Sequence, residues 1–300
     1  TNDGLMVDIP AEAKRQKLEL SFDPTSMISL AASGNRGLME LATIFKNRSS
    51  NLVSVNNVIL LSPIPKPQSN IYCVGWNYLD HFEEGLQNRE DKSVKEYPKV
   101  PVLFTKGTQT MNGPFDSIPY DGSYSTMIDW EAELAVVIGK KGKNISEENA
   151  MDYVFGYSAY NDTTARDVQQ KRHSGQWFKG KSLDGHGPMG PWIVTAGGVN
   201  LQDTRIICRV NGAEKQNASY KQMYFKIPVI ISELSRSLTL LPGDIIATGT
   251  PLGVGYRRKA ARVFKTRRYD GNRDHWCWHY SQQDRLRITT SQSKDQRTQK

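Results

Sequence analysis

The twelve residues Ile128-Asp129-Trp130-Glu131-Ala132-Glu133-Leu134-Ala135-Val136-Val137-Ile138-Gly139 decide how this chain folds. In a strand, successive side chains point to opposite faces, so Asp129, Glu131 and Glu133 project from one side and Trp130 from the other. From Leu134 onward the run is wholly apolar, the pattern of a central strand buried on both faces. Carboxylates clustered on such a strand repel one another and resist burial unless a cation joins them. A hard divalent ion with oxygen ligands meets that demand. Taken alone, the stretch leaves a second reading open, a half-exposed strand with a charged outer face.

Around this segment lie short β-branched and aromatic runs punctuated by Gly and Pro: Ile71 to Val74, Val102 to Phe104, Tyr153 to Tyr160, Trp192 to Val194, Thr204 to Val210 and Asp244 to Thr248. They predict a mixed α/β, mainly β fold. Helices are expected from Ser146, a capping residue followed by Glu147 and Glu148, and over Val229 to Ser237 behind Pro228. Upstream, one helix over Arg36 to Phe45 and a strand over Asn57 to Leu61 precede Pro63, Pro65 and Pro67. Those prolines suit neither a helix interior nor a central strand, so a small N-terminal domain is placed at 1–65 and the main domain at 66–255. The chain has no βαβ alternation, G-x-G-x-x-G run, Walker loop or internal repeat, which argues against a nucleotide-binding Rossmann fold.

Four further clusters carry candidate chemistry. Asn161-Asp162-Thr163-Thr164-Ala165-Arg166-Asp167-Val168-Gln169 follows a strand and sets Asp162 at its end, where a third carboxylate can close a metal site. Arg166 and Asp167 read equally well as a structural ion pair, and Gln169 as a substrate contact. In Val74-Gly75-Trp76-Asn77-Tyr78-Leu79-Asp80-His81-Phe82-Glu83-Glu84-Gly85, a helical turn sets His81 and Glu84 on one face, where a carboxylate can fix an imidazole as a base. Lys181, in Trp177-Phe178-Lys179-Gly180-Lys181-Ser182-Leu183-Asp184, can steady a developing oxyanion. Finally, Pro242-Gly243-Asp244-Ile245-Ile246-Ala247-Thr248-Gly249-Thr250-Pro251-Leu252-Gly253-Val254-Gly255 ends a strand in a Gly/Thr/Pro loop whose amides and hydroxyls suit an anion.

In this order the clusters resemble the fumarylacetoacetate hydrolase (FAH) superfamily, from about Ile71 to Gly255. The resemblance rests on G-x-N-Y-x-x-H-x-x-E, the E-x-E strand, N-D-x-x-x-R-D-x-Q, G-K-S-x-D with P-x-G-P-W, and P-G-D-x-I-x-T-G-T-P-x-G-V-G. It implies an FAH-type β-roll catalytic domain, a homodimer, and Mg²⁺ or Mn²⁺ held by Glu131, Glu133 and Asp162. It further implies that His81 and Glu84 activate water, that Lys181 and Gln169 polarise substrate and water, and that Lys106 and Thr250 line the substrate pocket. The implied activity is Mg²⁺-dependent hydrolysis of a C–C bond in a small 2,4-dioxo acid of the acylpyruvate or fumarylpyruvate type. Isomerisation, decarboxylation or a lyase reaction on a related 2-oxo acid is the alternative. Substrate choice is expected to lie in loops such as Gln87 to Pro98 and Gln170 to Gln176, with His173 in the second.

Composition narrows the partners. The formal net charge of +8 is uneven: residues 256–300 hold 13 Lys/Arg against 4 Asp/Glu, leaving the other 255 residues at −1. A nearly neutral catalytic body offers no footprint for nucleic acid. Family members normally continue past G-V-G with a segment like F-L-K-P-G-D, whereas this tail is basic and shows no strand alternation. Read from the second base, CGN codons for the arginines allow Val263-Phe264-Lys265-Thr266-Arg267-Arg268 to become Phe-Leu-Lys-Pro-Gly-Asp. His275 to Gln282 likewise allows Ile-Gly-Val-Gly-Thr-Ile-Val-Asn. A one-base slip after Gly255 is therefore one reading of the tail, and a disordered extension the other. No apolar run approaches the roughly 18 residues that span a bilayer, and Thr1 to Pro10 lacks the pattern of a secretory signal, so the cytoplasm is the expected compartment. Cys73, Cys208 and Cys277 are too scattered for a disulfide framework or a zinc site.

Overall fold

The computed structural model describes residues 4–86, 96–256 and 287–289. The N-terminal part holds β1 (Leu5–Met6), α1 (Ile9–Arg15), α2 (Met27–Lys46) and β2 (Val53–Ser54), with β1 and β2 antiparallel. Asp8 caps α1 by accepting the Ala11 N–H at 2.9 Å, and Ser26 caps α2 by accepting that of Ser29 at 3.2 Å. Helix α2 is longer than the expected Arg36 to Phe45 because Gly34, at φ +59°, kinks it without ending it, and Met27–Ser33 forms a capped helix before the kink. The strand expected over Asn57 to Leu61 does not form. Ser54 instead caps a 3₁₀ turn over Val55–Asn57, and Ile59 and Leu61 are exposed.

The main part continues with β3 (Ile71–Gly75), α3 (Leu79–Leu86), β4 (Val102–Lys106), β5 (Met111–Asn112), β6 (Ile128–Asp129), β7 (Ala132–Ile138), β8 (Val154–Asn161) and β9 (Thr164–Ala165). Then come α4 (Arg166–Lys171), α5 (Phe178–Lys181), β10 (Gly187–Thr195), β11 (Arg205–Val210), β12 (Ala213–Ser219), α6 (Ile227–Ser235), β13 (Ile245–Ala247) and β14 (Arg287–Thr289). Seven strands form one mixed sheet in the order β4-β3-β13-β7-β8-β10-β5. Its β13–β3 and β10–β5 pairs are parallel and the others antiparallel.

Strand β7 lies at the middle of this sheet with every residue buried, which explains its unbroken apolar run. Leu134, Val136 and Ile138 enter a core shared with Ile227, Ile230, Ile231 and Leu234 of α6 and Ile206 and Cys208 of β11. Ala135 and Val137 face a second core with Ile71, Cys73, Phe155 and Met189, into which Ala31 of α2 and Ile64 also pack. Pro228 occupies the first turn of α6 as expected, whereas Glu147–Tyr153 forms a 3₁₀ helix that Ser146 does not cap with its side chain.

Two expectations change here. The acidic run is two strands rather than one: β6 pairs with β9, while β7 joins the main sheet. The chain breaks at Trp130-Glu131, so Asp129 leaves the face that carries Glu131 and Glu133. In the tail, expected to lack strands, Arg287–Thr289 pairs antiparallel with β11, completing a β12-β11-β14 sheet. The codon-shifted segments 263–268 and 275–282 lie outside the described residues. Among those described, no helix is long and apolar enough to cross a membrane.

Candidate metal centre

Four backbone elements deliver the acidic cluster. Glu133 lies on β7, Glu131 on the connection just before it, and Asp162 immediately after β8, the strand paired with β7. The Glu131 N–H donates to Asn161 Oδ1 at 3.0 Å and the Asp162 N–H to the Glu131 carbonyl at 2.9 Å, fixing the two strand ends against each other. Ligand oxygens of Glu131, Glu133 and Asp162 lie within 4.8 Å of one another, and all three residues are buried. The fourth element is the loop after β13. There the Gly249 N–H donates to Glu133 Oε2 at 2.8 Å. Gly249 has φ +104°, and a Cβ would sit 2.7 Å from Asn77 Cβ, so both the backbone geometry and the close approach require glycine.

Three buried cations surround the carboxylates. Lys181 Nζ donates to Glu131 Oε2 at 2.7 Å and Asp162 Oδ2 at 2.6 Å, and lies 5.2 Å from the Phe104 ring centroid. Lys106 Nζ donates to Asp162 Oδ1 at 2.8 Å and to the Thr163 and His186 carbonyls at 3.0 and 2.9 Å. Arg166 pairs with Asp129 through Nε at 2.8 Å and with Glu131 through Nη2 at 2.6 Å. Asp129, Glu131, Glu133 and Asp162 against Lys106, Lys181 and Arg166 leave the cluster at −1.

Of the four carboxylates, Glu133 alone forms no ion pair with these cations. Burial, then the Asp162 and Glu131 carboxylates, push its carboxyl well above the usual range, against the opposing pull of Lys181 and the Gly249 N–H. Burial acts on Glu131 in the same direction, yet Lys181 and Arg166, helped by His81, outweigh it and hold that carboxyl low. Lys181 stays charged because Asp162 and Glu131 overcome its burial, whereas for Lys106 burial wins and lowers its pKa. Three hard oxygen donors, one under-compensated and all within reach of one point, fit a divalent cation.

The candidate residues are distributed as follows. Glu131, Glu133, Asp162 and Lys181 converge. His81 is buried on α3, near enough to Glu131 to favour its ionised form. Glu84 falls on the same helix, but its side chain lies outside the described residues. Lys106 is at the cluster with all three ammonium protons committed to protein acceptors, so it braces Asp162 rather than facing a pocket. The Thr250 hydroxyl donates to the Ala132 carbonyl at 3.0 Å and accepts from Gln216 Nε2 at 2.8 Å, which ties its loop to β7. Gln169 Oε1 accepts from Arg166 Nη1 at 3.2 Å. Arg166 and Asp167 do not pair as an ion pair: Asp167 accepts from the Ser125 hydroxyl at 2.6 Å instead. His173 sits exposed in a 3₁₀ turn at φ +55°. A cleft of about 400 Å³ is lined by Tyr78, Asp80, Lys215 and Pro251 among others, and by none of the seven charged groups of the cluster.

Sequence reasoning passed over the buried amides. Asn77 donates to the Phe225 and Thr248 carbonyls at 3.0 and 2.8 Å and accepts the Phe225 N–H at 2.7 Å, joining three distant segments. Gln216 accepts the Ala132 N–H at 2.9 Å. For Asn77 the signal was its place inside the G-W-N-Y run; Gln216 has no local signal, because only its partners in space give it a role.

A mixed α/β sheet with three buried carboxylates gathered at the ends of its two central strands, able to hold a metal ion, is the arrangement of a metal-dependent class of enzymes. The chain belongs to the fumarylacetoacetate hydrolase family: the family model described as "Fumarylacetoacetate (FAA) hydrolase C-terminal" matches residues 70–287. It is 43% identical over 253 residues to "Oxaloacetate tautomerase YisK" of Bacillus subtilis (strain 168), covering 81% of each chain. It is 38% identical over 242 residues to "Oxaloacetate tautomerase FAHD2A, mitochondrial" of Homo sapiens, covering 80% of this chain and 74% of that one. Among solved structures, "Fumarylacetoacetate hydrolase (EaFAH)" from psychrophilic Exiguobacterium antarcticum superposes with a TM-score of 0.62 at 41% identity, over 72% of this chain and 74% of that one.

Proposed function

We propose that this enzyme interconverts the keto and enol forms of a small 2-oxo dicarboxylic acid such as oxaloacetate, with Mg²⁺ or Mn²⁺ held by Glu131, Glu133 and Asp162. The observation that carries the reading is the cluster's charge. At −1, it becomes +1 with a divalent cation, which favours a dianionic substrate. The names of the two sequence relatives support tautomerisation ahead of the C–C hydrolysis that the motifs alone suggest.

When bound, the cation supplies Lewis-acid polarisation of the 2-oxo group and thereby acidifies the adjacent C3–H. The protein's own groups do the rest. Lys181, held by two carboxylates, has a third ammonium proton to offer the 2-oxo oxygen as negative charge develops there. His81 is the candidate base: it takes the C3 proton, the C–H electron pair becomes the C2–C3 double bond, and His81 gives that proton back to the 2-oxo oxygen, which yields the enol and leaves the enzyme unchanged. No bond between heavy atoms breaks and no water is consumed. Lys106, Arg166 and Gln169 orient the carboxylates.

The test is to follow oxaloacetate enol absorbance with purified protein and Mn²⁺. Tautomerisation should accelerate, and the acceleration should vanish with EDTA and in Glu131→Ala. Cleavage of 2,4-dioxo acids without any effect on the keto–enol rate would replace this reading with hydrolysis, the second reading, which the likeness to EaFAH favours.

A further inference from the structure

Asp129 belongs to the acidic run but stands outside the three-carboxylate group. Fully buried at 0% exposure, it receives four N–H donors. Oδ1 accepts from the backbone of Trp130 at 2.9 Å and Gly255 at 2.7 Å; Oδ2 accepts from Tyr256 N–H at 3.1 Å and Arg166 Nε at 2.8 Å. A carboxylate so engaged has no lone pair left for a metal. Its neighbour grips the same loop, since Trp130 Nε1 donates to the Gly253 carbonyl at 3.2 Å. The contacts form a chain: the end of the Gly/Thr/Pro loop to Asp129, Asp129 to Arg166, and Arg166 to the ligand Glu131.

Resting on the metal reading above, we propose that Asp129 is a positioning residue that sets the divalent-metal affinity of the centre by sharing the charge of Arg166. Without Asp129, the guanidinium acts on Glu131 alone and the cluster rises from −1 to 0. Without Arg166, the cluster falls to −2. With both charges removed it returns to −1. The sign of each change is therefore set by charge, whereas a purely structural role would weaken metal binding whichever partner is removed.

The experiment is Mn²⁺ titration of the full chain by calorimetry or electron paramagnetic resonance, with Asp129→Asn, Arg166→Met and the double variant beside the unaltered protein. Asp129→Asn should bind Mn²⁺ about 10- to 100-fold more weakly, the range for groups that support metal ligands. Arg166→Met should bind on the order of tenfold more tightly, because a unit charge a few ångströms away acts strongly on a divalent ion. The double variant should lie near the unaltered protein, and its balanced charge keeps the comparison open if Asp129→Asn folds poorly. Weaker binding in Arg166→Met and in the double variant would overturn the role given to Asp129. An unaltered chain that takes up no Mn²⁺ would instead overturn the metal reading, and this role with it.

Discussion

Glu133→Gln removes one charge from the centre while keeping an oxygen to accept the Gly249 N–H. The cluster goes from −1 to 0. Because Glu133 is 1% exposed and under-compensated, its ionised form destabilises the metal-free fold at neutral pH. Burying an ion costs several kcal/mol, part of which neighbours offset, so the variant should gain about 1–3 kcal/mol in EDTA. At roughly 2–4 °C per kcal/mol for a chain of this size, that is about 2–12 °C in Tm. Metal acts the other way. At one hundred times its Kd, a divalent ion adds about 2.7 kcal/mol to the unaltered protein and nothing to a variant that has lost a ligand. The pH dependence has a defined sign. A carboxyl whose folded pKa is raised favours the fold below its unfolded pKa, and that contribution is lost as pH climbs toward the folded value. The advantage of Glu133→Gln in EDTA should therefore be absent in acid and grow toward neutrality. Thermal melts with EDTA or Mn²⁺ between pH 4 and 8 measure all three effects. A variant that melts below the unaltered protein in EDTA at pH 7, or that keeps the full Mn²⁺ shift, refutes the reasoning.

Asn77→Asp keeps an acceptor for the Phe225 N–H but turns a carboxylate toward the Phe225 and Thr248 carbonyls. Urea unfolding should show a loss of about 3–5 kcal/mol, from unpaired buried groups and like-charged contacts; a loss below about 1 kcal/mol would mean that the three segments are joined by other means. Gly75→Ala places a Cβ 2.6 Å from Trp177 Cζ3, at the root of the helix bearing Lys181. The kcat of the proposed tautomerisation should fall at least about tenfold, as small misplacements of catalytic groups do, with little change in Mn²⁺ affinity. An unchanged kcat would show that Trp177 can move freely. His186, whose Nε2 donates to the Pro119 carbonyl at 2.8 Å, is held neutral by burial, its pKa falling from 6.5 to about 4. A depressed histidine pKa gives a stability that is lost as pH falls through that window. Chemical unfolding from pH 7 to 4 should show a shallower decline in His186→Gln than in the unaltered chain.

The acidic run shows where local pattern suffices and where it does not. An apolar, uninterrupted Leu134–Ile138 has one good destination, the middle of a sheet covered on both faces, and the Glu131, Glu133 and Asp162 motifs carry enough chemical identity to be paired from sequence. Strict alternation also put Asp129 on the ligand face. It failed there because the chain breaks between β6 and β7, and alternation holds only while the backbone stays extended. The same limit applies to α2, whose local pattern suggests a start only at Arg36: Gly34 kinks the helix without ending it, and Met27, Ile28, Leu30 and Ala31 before the kink pack against the second core.

Charge shows the division more sharply. Residue types alone establish that buried acids need cations, and a divalent metal is one cation that the acidic run suits. Which cation meets which acid depends on segments far apart in the chain. Lys106 saturated against Asp162 and two carbonyls, Arg166 turned from the adjacent Asp167 to Asp129 and Glu131, and Thr250 spent on β7 are outcomes of three-dimensional approach. The sequence by itself determined the sheet's central strand, the three acidic residues that cluster at its end and the family. Only the tertiary structure decided which neighbouring groups hold those ligands in place, because a hydrogen bond is made over about 3 Å of space, however far apart its partners lie along the chain.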